Sequence, residues 1–223
     1  IWAKYLNAGQ TCIAPDYVVV HKKVKEEFLI LAKKEIDQSK FLIEEDNYVQ
    51  IIDQKNLQRL IALIDEDKIY TGGEYNLENR IIEPTILTNV TFEDKVMQDE
   101  IFGPILPVLE YDDLDKIIHQ IKARPKPLSC YVFTNDKNIK RKILDEISFG
   151  GGAVNDAVMH ISNSNMGFGG VGESGIGSYH GEHGFRAFSH YKGILEKPKW
   201  IEPNFKYYPH TKSKLKWIKR LIG

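Results

Sequence analysis

Apolar positions along this chain alternate between strand-like and helix-like patterns. Tyr17-Val18-Val19-Val20 is a β-branched run of the kind that forms a buried strand. Val24, Phe28 and Leu31 then recur at helical spacing in a charged stretch, which predicts an amphipathic helix to about Ile36. Val49, Ile52, Leu57, Leu60 and Ile64 predict a second helix. Ile69–Thr71 and Ile81–Leu87 read as strands on either side of a polar loop with Gly72-Gly73. After Gly103-Pro104 the alternation becomes regular. Strand Ile105–Leu109 is followed by a helix from Asp113 to about Ala123, then by strand Leu128–Phe133. A helix with Ile139, Ile143, Leu144 and Ile147 leads to strand Gly152–Val154, which ends at Asn155-Asp156. Strands joined through helices of this length imply a largely parallel α/β sheet with helices on both faces.

The end of the chain differs in character. Leu215, Ile218, Leu221 and Ile222 can share one helical face, with Lys212, Lys214, Lys216, Lys219 and Arg220 elsewhere. Such a basic amphipathic helix can lie on an anionic membrane surface or pack on its own protein, and the packed arrangement is preferred. The segment Tyr191-Lys192-Gly193-Ile194-Leu195 reads as a strand able to join a partner's sheet.

Composition narrows the classes. The chain has 223 residues, 42% of them hydrophobic, enough for one sizeable α/β domain with a tail. Thirty basic residues against 31 acidic ones give a net charge of −1, which argues against broad nucleic-acid binding. Two cysteines, Cys12 and Cys130, form no disulfide framework and fit a reducing compartment. No run approaches the roughly 18 apolar residues of a spanning helix.

The chemistry concentrates in Asn7-Ala8-Gly9-Gln10-Thr11-Cys12-Ile13-Ala14. A lone cysteine behind a glycine and ahead of a strand can hold its sulfur in a cleft and turn its backbone N–H toward an oxyanion. A free thiol, with pKa about 8.5, is the side chain nearest to being a nucleophile at neutral pH. A small buried hydrophobe is the other reading of such a residue. Gly170-Val171-Gly172-Glu173-Ser174-Gly175 matches Gly-x-Gly-x-x-Gly but follows a polar loop rather than a strand. It therefore reads as close backbone packing, not as a dinucleotide fingerprint. His180, His183 and His190 have no metal-ligand spacing, so no metal is expected. Cys130, in an apolar strand, reads as structural.

The segment Asn7–Cys12, running into Ile13-Ala14-Pro15-Asp16-Tyr17-Val18, resembles the catalytic-cysteine segment of the aldehyde dehydrogenase superfamily, in its class 3, or fatty-aldehyde, branch. Gln98-Asp99-Glu100-Ile101-Phe102-Gly103-Pro104 resembles that family's Glu-x-Phe-Gly-Pro segment. Phe168–Gly175, continuing through Ser178-Tyr179-His180-Gly181 to Phe188-Ser189-His190, resembles a third block. The three stand in the family's order from Asn7 to His190. One departure is Met166-Gly167 before Phe168, where the family commonly has a proline.

The resemblance implies an NAD- or NADP-dependent oxidation of an aliphatic or aromatic aldehyde, with Cys12 as nucleophile. It implies Glu100 as a ligand of the nicotinamide ribose and Phe102 beside the nicotinamide. It also implies a homodimer and a cytoplasmic location, with peripheral membrane contact through residues 212–222 as the alternative. Residues 1–190 would be the catalytic domain and residues 191–223 a C-terminal strand and basic tail. The family's nucleotide-binding domain, oxyanion asparagine and water-activating glutamate would lie upstream, so the chain reads as part of a longer protein and is expected to be inactive by itself. Asn7 is not that asparagine. Two other classes stay open: a coenzyme A-acylating enzyme and a non-catalytic oligomerisation or binding remnant.

Overall fold

The computed structural model describes residues 1–41 and 48–222, apart from the side chain of Ile222. Ile222's place on the apolar face of the tail helix, and Gly223 at its end, therefore lie outside the described residues. The chain divides into two units, Ile1–Phe188 and Ser189–Gly223.

In the first unit the elements run α1 (Trp2–Tyr5), β1 (Val18–His21), α2 (Lys25–Ser39), α3 (Gln54–Ile61), β2 (Ile69–Thr71), β3 (Tyr75–Asn76), β4 (Ile81–Ile82) and β5 (Thr85–Leu87). They continue through β6 (Ile105–Tyr111), α4 (Leu114–Lys122), β7 (Ser129–Val132), α5 (Lys137–Glu146), β8 (Gly151–Val154) and α6 (Gly181–Ala187). The main sheet has the order β1-β6-β5-β2. β1 and β5 both run parallel to β6, while β2 is antiparallel to β5.

This sheet carries a helix on each face. Because strand side chains alternate, Ile105 and Leu109 of β6 point into a core with Leu57 and Leu60 of α3. Leu106 and Val108 point the other way, into a core with Leu29 and Ala32 of α2 and with Val20 and Ile86. The largely parallel α/β architecture expected from periodicity is thus present.

Three local expectations change. Ile81–Leu87 is not one strand: β4 pairs with β3, whereas β5 pairs with β2 and β6. Glu83-Pro84 separates them, and proline has no N–H to give to a ladder. The second helix begins only at Gln54, where the Asp53 side chain caps it by accepting from Asn56 N–H. Val49 and Ile52 precede that cap and are exposed. β7 and β8 pair with each other in parallel as a separate two-stranded sheet, not as further strands beside β6.

In the second unit, Tyr191–Leu195 pairs with no strand among the described residues. An extended segment needs a neighbour to complete its hydrogen bonds, and among the described residues this one has none. The unit's helix, α7 (Lys212–Ile222), is where the apolar and basic pattern placed it. Leu215, Trp217 and Leu221 on it are exposed. Ahead of it, Glu202 gathers Lys197, Lys206 and Tyr207, and these partners lower its carboxyl to about 2.

Candidate functional site

Cys12 is exposed and sits in a tight turn closed by Ala14 N–H donating to the Thr11 carbonyl at 2.9 Å. The approach to this turn is an unusual stretch of backbone. Asn7, Ala8 and Gly9 all have positive φ, at 54°, 52° and 70°. For Ala8 this conformation costs on the order of 1–3 kcal/mol and persists because its surroundings determine it. Gln10 supplies much of that constraint. Its amide donates to the Asn7 and Gln50 carbonyls at 3.2 and 3.1 Å and accepts from Ile52 N–H at 3.0 Å.

The residue after the cysteine is the anchor. Ile13 is 2% exposed and packs with Ala3, Ala157, Val158, Leu128, Tyr131 and Phe168. Its carbonyl accepts from the Tyr131 hydroxyl at 2.7 Å. Phe168 belongs to the third of the motif blocks, so that block helps wall the cysteine turn from below. Phe168 and Tyr179 exchange backbone hydrogen bonds of 2.7 and 2.9 Å. The glycines between them bring backbone against backbone: a Cβ on Gly169 would stand 2.1 Å from the Gly177 carbonyl oxygen. Gly172–Ser174 is a single short 3-10 turn, not the opening of a nucleotide-binding helix.

Glu100 and Phe102 are arranged in the same way around a buried isoleucine. Ile101 is fully buried, while the side chains on either side of it are exposed. No ladder runs through this segment, so side chains satisfy its backbone. Ile101 N–H donates to Asp16 Oδ1 at 3.0 Å, and its carbonyl accepts from Arg59 Nη2 at 2.7 Å. Arg124 donates to the Met97 carbonyl and lies over the Phe92 ring, 5.0 Å from its centroid. Phe102 has a φ of 48°, a strained conformation for a bulky residue.

The cysteine segment and the Glu100 segment are pressed together at Gly9. A Cβ there would lie 2.3 Å from the Gly103 carbonyl oxygen. Asp16, just beyond the cysteine turn, makes a second tie through its bond to Ile101. Beneath both lies Lys4, only 2% exposed. Burial brings its amine down to about 8, against the pull of Asp16 and Glu100, which favour its charged form. Burial also raises the Asp16 carboxyl, with Lys4 opposing. The Glu100 carboxyl is raised by partial burial and by Asp16, with Arg59 and Lys4 opposing. Burial carries the second thiol, Cys130, up to about 11.

Cys12, Glu100 and Phe102 thus fall on two segments that the fold brings together. Lys4, Asp16, Arg59 and Tyr131 carried no signal in the sequence as site residues, although Asp16 lies within the first motif. Among the described residues no group of three or more His, Cys, Asp or Glu side chains could hold a metal ion. His180 and His183 instead approach the Met166 carbonyl and the Ser178 hydroxyl, each at 3.4 Å.

The fold is thus of the α/β class with a largely parallel sheet, and it holds an exposed cysteine and an exposed carboxylate on two adjoining segments. The aldehyde dehydrogenase family profile matches residues 1–194, and the chain belongs to that family. It is 42% identical over 222 residues to the 4,4'-diaponeurosporen-aldehyde dehydrogenase of Staphylococcus aureus, covering 98% of this chain and 48% of that protein. It is 40% identical over 222 residues to aldehyde dehydrogenase family 3 member A2 of Pongo abelii, covering 98% of this chain and 46% of that one. The chain therefore spans about half the length of these curated relatives. Among solved structures, the substrate-bound state of Staphylococcus aureus AldH superposes with a TM-score of 0.91 at 41% identity, covering all of this chain and 49% of that one. A Mycobacterium tuberculosis aldehyde dehydrogenase complexed with NAD+ shares the fold, with a TM-score of 0.77 at 24% identity over 90% of this chain and 43% of that one.

Proposed function

We propose that this chain is the cysteine-bearing part of an NAD(P)-dependent aldehyde dehydrogenase that oxidises an aliphatic or aromatic aldehyde to the carboxylic acid. The observation that carries the reading is that exposed Cys12 and exposed Glu100 lie on two segments pressed together at Gly9 and Gly103, each residue beside a buried isoleucine held by side chains from elsewhere in the fold. The aldehyde named in the Staphylococcus aureus relative supports an aldehyde carbonyl as the reacting group.

In this reading the Cys12 thiolate attacks the aldehyde carbon and forms a thiohemiacetal, with the Cys12 N–H donating to the developing oxyanion. Covalent capture fixes the reacting carbon in place, so hydride loss becomes an intramolecular step. Loss of hydride leaves a thioester on Cys12, and water hydrolyses it to the acid. A bound nicotinamide cofactor supplies the hydride acceptor. The residues present fit a nicotinamide riboside: Glu100 offers a carboxylate that can accept from both ribose hydroxyls, and Phe102 offers an unburied ring two residues away. The NAD+ complex of the Mycobacterium tuberculosis protein supports the choice of cofactor. The second oxyanion donor and the base that activates water come from residues outside this chain, and the chain by itself is inactive. Residues 1–190 form the catalytic part. Residues 191–195 complete a partner's sheet in a homodimer, and the basic helix of the tail is the point of any membrane contact.

The test is NADH or NADPH formation by the complete gene product with a fatty aldehyde, beside its Cys12→Ser variant. Turnover that disappears in a folded variant supports both the reaction and the nucleophile. A folded, cofactor-binding parent without turnover would sink the assignment, and product formation that requires coenzyme A would replace it with acyl transfer.

A further inference from the structure

We infer that Tyr131 is a positioning residue for Cys12, its hydroxyl locking the turn that aims the Cys12 N–H. The inference rests on the reading of Cys12 as the nucleophile. Three linked observations lead to it. The Tyr131 hydroxyl donates to the Ile13 carbonyl at 2.7 Å, which fixes the oxygen end of the Ile13–Ala14 peptide. The other end of that same planar unit, Ala14 N–H, donates to the Thr11 carbonyl at 2.9 Å. The Thr11 carbonyl in turn belongs to the peptide whose N–H is that of Cys12. A trans peptide directs its C=O and N–H to opposite sides, so a Thr11 oxygen held toward Ala14 leaves the Cys12 N–H directed away from it. Two hydrogen bonds therefore connect the phenol to the direction of the proposed oxyanion donor.

The support behind the phenol is rigid. Tyr131 sits in β7, paired in register with Ala153 of β8. Its ring lies 5.8 Å from that of His160 and packs in the cluster around Ile13. A phenylalanine would serve that packing equally well, whereas the hydroxyl donates to a carbonyl 118 residues away in sequence. Burial raises the phenol above its ordinary range, so it keeps its proton and remains a donor well above neutral pH. A side chain on a paired strand holds geometry more closely than one on a loop. The cysteine turn borrows that rigidity.

The test is Tyr131→Phe in the complete gene product, beside Cys12→Ser. The ring stays, and one donor is lost. The expected result is a fall in kcat of roughly five- to tenfold, the net worth of one hydrogen bond, with KM for aldehyde and cofactor unchanged within about twofold. A lower thermal midpoint with unchanged kcat would make the hydroxyl merely structural and overturn the inference. So would a rise in KM alone. If Cys12→Ser retains turnover, the proposed nucleophile falls and this inference with it. If Cys12→Ser abolishes turnover while Tyr131→Phe leaves kcat unchanged, only the inference falls. Amide exchange in the unmodified protein gives an answer that does not depend on the variant folding. The Ala14 N–H should exchange at least about tenfold more slowly than an open loop amide, and exchange at the open-loop rate would show that the turn is not locked.

Discussion

Gly9 and Gly103 stand backbone to backbone, so close that a single methyl at Gly9 would lie 2.3 Å from the Gly103 carbonyl oxygen. Neither chain segment can retreat, because Gln10 ties one to Gln50 and Ile52 while Asp16 and Arg59 hold the other at Ile101. Gly9 also has a φ of 70°, which favours glycine by itself. Gly9→Ala should therefore destabilise the protein by about 2–4 kcal/mol, the sum of a left-handed alanine and an overpacked contact. Turnover should fall by about a hundredfold or more, since displacement by an ångström at a reacting site has that effect. Urea midpoints and kcat/KM of the complete gene product measure the two effects separately.

Glu100→Gln separates binding chemistry from structure. Its side chain is exposed and makes no hydrogen bond among the described residues, so the variant should unfold within about 0.5 kcal/mol of the parent. A charge-assisted bond to a ribose hydroxyl contributes about 1.5–3 kcal/mol. Losing that charge should cut kcat/KM for the cofactor by roughly ten- to a hundredfold. A stable variant with unchanged cofactor kinetics would remove Glu100 from the cofactor site.

Lys4 gives a pH dependence with a definite sign. Burial depresses its amine from the ordinary 10.5 to about 8 in the folded state. Between these values the unfolded chain binds more protons than the folded one, so stability rises with pH across the window. The contribution is fully present above the unfolded value and is lost as pH falls through about 8. Relative to Lys4→Met, the parent should gain about 1.5 kcal/mol between pH 8 and 9.5. Denaturant midpoints of the two proteins over that range provide the measurement. Parallel curves would mean that the amine titrates as if it were exposed.

The two thiols should respond very differently to alkylation. Cys12 is exposed, whereas burial holds the Cys130 thiol up to about 11. Iodoacetamide at pH 7.5 should modify Cys12 and leave Cys130 intact until the protein unfolds, because only the thiolate attacks. Peptide mass spectrometry before and after denaturation reads the site of modification. Early loss of Cys130 would contradict the packing of β7.

What the sequence disclosed and what it concealed divide along physical lines. The segments around Cys12 and Glu100 stood out through their resemblance to family motifs, and the glycine loop through the polar residues that precede it. The two-faced sheet was legible because alternating apolar positions in Ile105–Leu109 fill both cores. Tyr131, Arg59 and Lys4 were not, because nothing local distinguishes a tyrosine in a strand or an arginine on a helix from its neighbours. Their roles arise only when residues far apart in the chain meet, as Arg59 meets Ile101 across 42 positions. Pro84 was visible, yet the apolar residues at both ends of Ile81–Leu87 read as one strand and hid the break that it makes.

The sheet order has a consequence for the making of the protein. β1, which follows the cysteine turn directly, pairs only with β6 among the described residues, so Val18 waits for Val108 and His21 for Tyr111. Tyr131 arrives later still. A ribosome adding about 5–20 residues per second takes several seconds to cover that interval. Throughout it the nascent chain carries Cys12 before β6 and β7 exist to constrain it. Cys12 is thus made before the strands that immobilise its turn, and an oxidant or a stray aldehyde meets it most freely in that interval of synthesis.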